Sequence, residues 1–519
     1  MDYLAGIDLG STSLKAMVYD LNGNARAQAS RPTQRFNPDP EHPDWTIWKP
    51  EQIWDGVRES LREATTQLDN PARIKGVAVT GMGMDAVPMD RKGHWLYPFI
   101  SWTCPRTRPQ QQWWLKNVGA QKQFAISGNP VWHCNPVLRL LWMREHEPAI
   151  LEKTVKYLLI EDFVNFMLCG EYATDYSMAS NTLLFDQQKR HWSEELLKIS
   201  GVDPELLCEP QPSGTIIGEV HAEAAKATGL AKGTPVVLGG HDFLCGALPS
   251  GAFKPGVVLT VLGTWDIIVS ALAKPMLTPE ACEMGAWVDS HVARDTWAVM
   301  GSAVAGEATE WFRREYGSEE KRKAEAEGGS DWNNLMATAQ ESPPGANGVL
   351  FLPHLCGSTF PIVDPDSMGA FVGLRNTVTR GDMLRSLIEG LNYQFVQILE
   401  NLKSGLDLPA DKIVSVGGGT RNRFAMQNKA DMAGLPLEVL PLEEATPLGA
   451  ALLAGIGVGL YKNEQEAFDQ VSRPGEVYEP DLKLNERYRD GYQVFERLYP
   501  ALKDLNRDIK QTTNKTEGS

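Results

Sequence analysis

An aspartate placed after two glycines at the end of an apolar strand can take a proton from a hydroxyl held against it. Residues 235–248 read P-V-V-L-G-G-H-D-F-L-C-G-A-L. Val236, Val237 and Leu238 make a buried strand, Gly239 and Gly240 let backbone come close to a ligand, and His241 and Asp242 open a helix. Asp242 has an ordinary reading as a helix cap. It also has a chemical one, because phosphoryl transfer needs little more than placed charge and one base to orient the nucleophile. The following stretch favours the chemical reading. Residues 256–271, G-V-V-L-T-V-L-G-T-W-D-I-I-V-S-A, run an apolar strand into a turn at Gly263 and Thr264 and a second apolar strand out of it.

The same plan opens the chain. Residues 3–20, Y-L-A-G-I-D-L-G-S-T-S-L-K-A-M-V-Y-D, predict strand, glycine turn, strand, with an Asn22-Gly23 turn leading to a third strand. Gly10, Ser11, Thr12 and Ser13 at the bend expose backbone N–H groups, a concave shape that holds a phosphate. Asp8, at the end of the first strand, can stand beside the metal that accompanies that phosphate. A plain solvent-facing hairpin is the alternative for this stretch alone. Two such units, each opening one half of the chain, suggest two related α/β domains that grip one nucleotide from both sides.

Other elements place further candidates. Ile74–Gly81 predicts a buried strand that delivers the loop Gly81-Met82-Gly83-Met84-Asp85 to the edge where open α/β sheets bind ligands. Asp85 is either a holder of a hydroxyl-rich substrate or a turn-stabilising acid. Trp102, Cys104 and two arginines follow near the same edge, while Trp45 and Trp48 read mainly as packing. I-V-S-V-G-G-G-T at 413–420 breaks a strand into Gly417, Gly418 and Gly419, suited to close approach of a flat or phosphorylated ligand. Residues 444–454, E-A-T-P-L-G-A-A-L-L-A, predict a small-residue helix packed behind that loop. Residues 319–330 read as a solvated, mobile insertion.

The bulk numbers set limits. With 519 residues, a prior of about 150 per domain gives two to four domains, and large α/β domains pull that toward two. A net charge of −16 argues against nucleic acid as a main partner. The 7 cysteines are scattered without a C-x-x-C pair, which points to reduced thiols in a cytoplasmic protein. No apolar run is long enough to span a membrane, and the N-terminus enters a strand at once.

Together these motifs resemble the FGGY carbohydrate kinases, closest in style to the xylulokinase branch, within the actin/Hsp70-like ATPase superfold. G-I-D-L-G-S-T-S and L-G-T-W resemble the family's two phosphate motifs, G-H-D its base motif, and V-G-G-G-T-R-N-R-F-A-M-Q-N its adenosine motif. The resemblance implies an α/β fold of two actin-like (ribonuclease H-like) domains, each a mixed central sheet flanked by helices, around an ATP/sugar cleft. The expected domains are 1–245 and 246–480, with a C-terminal helix and frayed tail at 481–519. It further implies Asp242 as catalytic base, Asp8 at Mg²⁺, Gly10, Ser11, Thr12, Ser13, Gly263 and Thr264 at the phosphates of ATP, and Gly417, Gly418, Gly419 and Asn422 at adenosine. Met84, Asp85, Trp102 and Asp242 are the expected substrate contacts. Members are often homodimers. Arg139 stands where the family's first signature has Lys. Two further departures fall in the sugar pocket: Gly83-Met84, with Asp85 next, stands where xylulokinases carry a Met-His pair, and Cys104 near Trp102 stands where many members carry an acid. The expected activity is phosphorylation of a ketose such as xylulose, with a polyol kinase, an ATP-driven switch or a sugar sensor as alternatives.

Overall fold

The computed structural model describes the backbone of residues 1–517 and the side chains of residues 1–512. The tail expected to fray past 517 lies outside the described residues. β1 (Tyr3–Leu9) and β2 (Ser13–Asp20) pair antiparallel with Asp8 opposite Lys15, and β3 (Ala25–Pro32) continues the meander after the Asn22-Gly23 turn. β4 (Ile74–Gly81) lies parallel to β1, β6 (Pro235–His241) parallel to β4, and β5 (Ile216–Glu219) antiparallel at the edge. The V-A-V and V-V-L runs of β4 and β6 are apolar on both faces because both faces are covered. The sheet order is β5-β6-β4-β1-β2-β3.

The second half repeats this order. β7 (Gly256–Leu262), β8 (Trp265–Leu272) and β10 (Trp297–Val304) form an antiparallel meander, with β9 (Trp287–Ser290) added outside β10. β11 (Ala410–Val416) and β12 (Leu437–Val439) run parallel to β7, and β13 (Glu476–Tyr478) closes the edge antiparallel. The order β13-β12-β11-β7-β8-β10-β9 matches the first sheet strand for strand, apart from the extra β9.

The helices that matter to the site are α1 (Pro50–Thr66), α2 (Pro136–His146), α3 (Tyr176–Ser180), α4 (Asp242–Ala247), α5 (Gly306–Tyr316), α6 (Arg380–Glu400), α7 (Arg423–Ala433) and α8 (Ala445–Gly457). α1 covers β2 and β3, and α6 packs on α7. The α8 helix differs from expectation. It packs on β1, β4 and β6 of the first sheet and on α4, not behind the adenosine-type loop. Its small residues explain how. A Cβ on Gly449 would lie 1.9 Å from the Cys245 carbonyl oxygen, and one on Gly6 would lie 1.9 Å from the Pro447 carbonyl oxygen. Leu448 and the 450–454 run therefore share one buried cluster with residues of both halves, among them Leu4, Ala78, Val237, Leu259 and Val414.

Residues 318–327, expected as part of a solvated insertion, form a helix that is mostly exposed, with Glu320 buried against Arg380, 2.6 Å away, and Thr338. Charge density along that stretch hid its one buried acid. No helix among the described residues is long and apolar enough to cross a membrane.

Candidate active site

The first turn is closed by its own backbone. Gly10 N–H donates to the Ser13 carbonyl at 3.1 Å, and Thr33, just after β3, braces it through its N–H to the Thr12 carbonyl and its hydroxyl to the Gly10 carbonyl, both at 3.1 Å. Ser11 and Thr12 thus sit in a bend fixed from both sides. Asp8 lies at its base. Burial pushes the Asp8 carboxyl up to about 7, the charge of Asp242 pushes the same way, and Lys15 opposes them. That coupling joins the ends of β1 and β6. Lys15 in turn grips both oxygens of Glu444 at 2.7 Å, linking β2 to the start of α8. Sequence reasoning missed this link, since nothing local to either residue signals the other.

Asp242 starts α4 and keeps about a quarter of its side chain exposed. Its Oδ1 accepts from the Phe243 N–H at 2.7 Å and lies 2.9 Å from His241 Nδ1. Burial works against a charged His241 ring, but Asp242, Asp289 and Asp175 outweigh it and raise the His241 pKa. The arrangement fixes one oxygen of the candidate base and leaves the other to receive a proton.

The second turn and the triple glycine meet. Gly417, at φ 97°, and Gly419 abut Leu262 at the end of β7, where a Cβ on Gly417 would lie 2.6 Å from the Leu262 carbonyl oxygen. Gly263 and Thr264 follow at once and are exposed. Their carbonyls accept from the first N–H groups of α5, Gly306 to Gly263 and Glu307 to Thr264, both at 3.1 Å. α5 was not legible as a support for this turn. Gly418 sits in the bend between Gly417 and α7. Asn422 caps α7, its Oδ1 accepting from the Ala425 N–H at 3.1 Å. Behind both loops, Lys429 of α7 and Asp266 of β8 form a buried ion pair at 2.7 Å.

The loop after β4 comes next to His241. A Cβ on Gly83 would lie 2.3 Å from His241 Cδ2, so only glycine leaves that ring its place. Met84 is partly exposed and Trp102 is 40% exposed. Asp85 is fully buried. Its Oδ2 accepts from Trp48 Nε1 at 2.7 Å, and its Oδ1 lies 3.0 Å from Arg139 Nη2. Burial holds its carboxyl up at about 6 despite Arg139. Arg139, on α2, also donates to the Met84 carbonyl. Arg139, the departure in the first signature, is thus paired with Asp85, the residue after the Gly83-Met84 departure. Trp48 packs and hydrogen-bonds in the interior, and Trp45 is covered by His42 and Arg106.

Comparison with known proteins agrees with this architecture. Residues 3–249 match the N-terminal domain and residues 258–458 the C-terminal domain of the FGGY family of carbohydrate kinases. An L-fuculokinase of Escherichia coli (strain K12) is 30% identical over 471 residues, 90% of this chain and 94% of that protein. A xylulose kinase of Bacillus subtilis (strain 168) is 27% identical over 512 residues, 98% of this chain and 99% of that protein. The crystal structure of xylulose kinase from Rhodospirillum rubrum superposes with a TM-score of 0.89 at 29% identity, covering 97% of this chain and 100% of that one. With two matched actin-like halves and a carboxylate pair between strand ends, the chain belongs to the FGGY family of carbohydrate kinases, enzymes that use ATP to phosphorylate an alcohol group.

Proposed function

We propose that the protein transfers the γ-phosphate of ATP to a hydroxyl of a small ketose, with Asp242 as the base. The observation that supports this is the register of the first sheet: Asp8 of β1 and Gly240 of β6 both stand level with Thr80 of β4, so Asp242 follows at the same strand ends as the first phosphate-type turn. In this reading Gly10, Ser11, Thr12 and Ser13 hold the phosphates from one half and Gly263 and Thr264 from the other. Gly417, Gly418, Gly419 and Asn422 line the adenosine pocket. Asp242 Oδ1 is held by His241 and Phe243, and Oδ2 takes the proton of the attacking hydroxyl.

Asp8 suits a divalent cation. A carboxyl that burial and a neighbouring acid have pushed up to about 7 is one that a cation would return to its charged form. Mg²⁺ bound there would neutralise charge on the phosphates. Met84 and Trp102 face the sugar, and Asp85 acts from behind them, holding Arg139 and through it the Met84 carbonyl. Xylulose and L-fuculose, in the names of two relatives, are both ketoses, which supports that class over a polyol. The seven free cysteines support a reducing, cytosolic setting.

The test is coupled ADP release with Mg-ATP against a panel of ketoses, aldoses and linear polyols. The expected result is activity confined to ketoses and lost by about three orders of magnitude or more in Asp242→Asn. Near-wild-type turnover in that variant would sink the assignment of the base.

A further inference from the structure

A carboxylate from the second half is buried beside the base of the first. Asp289 sits on β9, at the outer edge of the second sheet, yet it is fully buried. Its ligands come from the other half. Oδ1 accepts from Asn129 Nδ2 at 2.8 Å and Oδ2 from Asn181 Nδ2 at 3.3 Å. Burying a carboxylate is costly unless it is paired, and here burial pushes the Asp289 carboxyl up to about 6, with His241 pulling it back.

Asn181, just past α3, ties Asp289 to the site. Its Nδ2 also donates to the Ser177 carbonyl at 3.1 Å, and its own carbonyl accepts from Asn135 at 2.9 Å. The point where a Gly83 Cβ would sit is 3.3 Å from Asn181 Nδ2 and 2.8 Å from His241 Nε2. The His241 ring and Asn181 thus border the same gap at Gly83, and the ring's Nδ1 is turned to Asp242. Ser177 joins the two: its carbonyl accepts from Asn181, and its Oγ accepts from the His241 N–H at 2.8 Å.

The place of Asp289 depends on how the halves dock. β9 lies along the first half through the Val288 N–H to the Gly128 carbonyl at 2.8 Å, the Ser290 N–H to Ser180 Oγ at 3.2 Å, and Ser290 Oγ to Gln187 Oε1 at 2.9 Å. We propose that Asp289 is a positioning residue for the base: through Asn181 and Ser177 it holds His241, and with it the direction of the Asp242 carboxylate, so the base is correctly aimed only when β9 is docked on the first half. This rests on the reading of Asp242 as the base.

The experiment uses the full chain and four variants, Asp289→Asn, Asp242→Asn, the double variant, and Ser290→Ala as an interface control. ADP release is followed with Mg-ATP and D-xylulose, with Mg-ATP and L-fuculose, and with Mg-ATP alone. Asp289→Asn should lower kcat by about 10–100-fold, the scale set by a misplaced catalytic group, with KM for ATP within about twofold and Ser290→Ala near wild type. If Asp289 acts through the base, it should cost nothing further in the Asp242→Asn background. A readout that needs no acceptor is the ¹⁵N signature of His241, whose ring should lose its second proton at lower pH in Asp289→Asn than in the wild type. Unchanged kcat and an unchanged His241 titration in Asp289→Asn overturn the proposal. So does a full extra loss in the double variant, which would place Asp289 elsewhere in the reaction. Wild-type turnover in Asp242→Asn instead removes the base assignment itself, and the positioning role with it.

Discussion

Gly449→Ala is a substitution of one methyl group that should disturb both stability and chemistry. The added Cβ would lie 1.9 Å from the Cys245 carbonyl oxygen and 2.5 Å from its carbon. Cβ atoms keep at least 3.0 Å from such atoms, so the two backbones must part by about 1.1 Å. No side chain can swing aside, because both obstructing atoms are backbone. Nor can α8 retreat. Residue 447 lies about 200° around the helix from residue 449, and its carbonyl already occupies the space where a Gly6 side chain would be. The displacement therefore falls on α4, which carries Asp242 three residues before Cys245. Overpacking of this kind costs about 1–3 kcal/mol, and a 1 Å error at a base costs about 100-fold in rate. Urea unfolding and ADP-release kinetics measure the two effects separately. Gly246→Ala is the control at the same contact, since its Cβ would meet Thr446 Oγ1 at an ordinary 3.4 Å. If Gly449→Ala matches Gly246→Ala in both midpoint and kcat, the idea that α8 is wedged between β1 and α4 is wrong.

Two further outcomes follow from buried charge. Arg139→Met leaves the Asp85 carboxylate buried without its counter-ion, held only by hydrogen bonds from Trp48 and the Trp102 backbone, which should cost about 3–5 kcal/mol in urea unfolding; adding Asp85→Asn should recover much of that loss, and strictly additive losses would show that the two do not act as a pair. For Asp8 the sign follows from its carboxyl standing at about 7 in the folded protein against about 3.9 unfolded. The folded state binds the proton more tightly, so the Asp8 contribution to stability is fully present below about pH 4 and is lost as pH rises through 7. Without divalent cations, Asp8→Asn should therefore melt higher relative to wild type at pH 8.5 than at pH 5, and an equal difference at both pH values would refute the raised proton affinity.

The parts of the site that were legible in the sequence are those whose cause is local. The Gly10–Ser13 bend is closed by a hydrogen bond between its own ends, and Gly263 donates to Trp265 two residues on. Type and spacing suffice there, and both turns lie between the strands predicted to flank them. That the two halves are related was also expected, because a repeated strand–turn–strand opening implies a repeated fold. What stayed hidden is pairing over distance. The small residues of α8 announce a close backbone contact but not the surface it meets, and that surface proved to be the other half's sheet. Glu320 looked solvated because its partners, Thr338 and Arg380, come later in the chain. Asp85 and Arg139 make the general point. Arg139 departs from the family pattern on its own, and Asp85 was read from its loop alone as a substrate holder or a turn-stabilising acid. In the structure the carboxylate is the counter-ion of the guanidinium, and neither is intelligible without the other. Exchanging Lys for Arg keeps the charge, but a buried carboxylate needs a partner, and the planar guanidinium of Arg139 meets Asp85 and the Met84 carbonyl at once. The pair therefore holds the Met84 backbone beside the gap at Gly83, and no local spacing in the sequence signals that link.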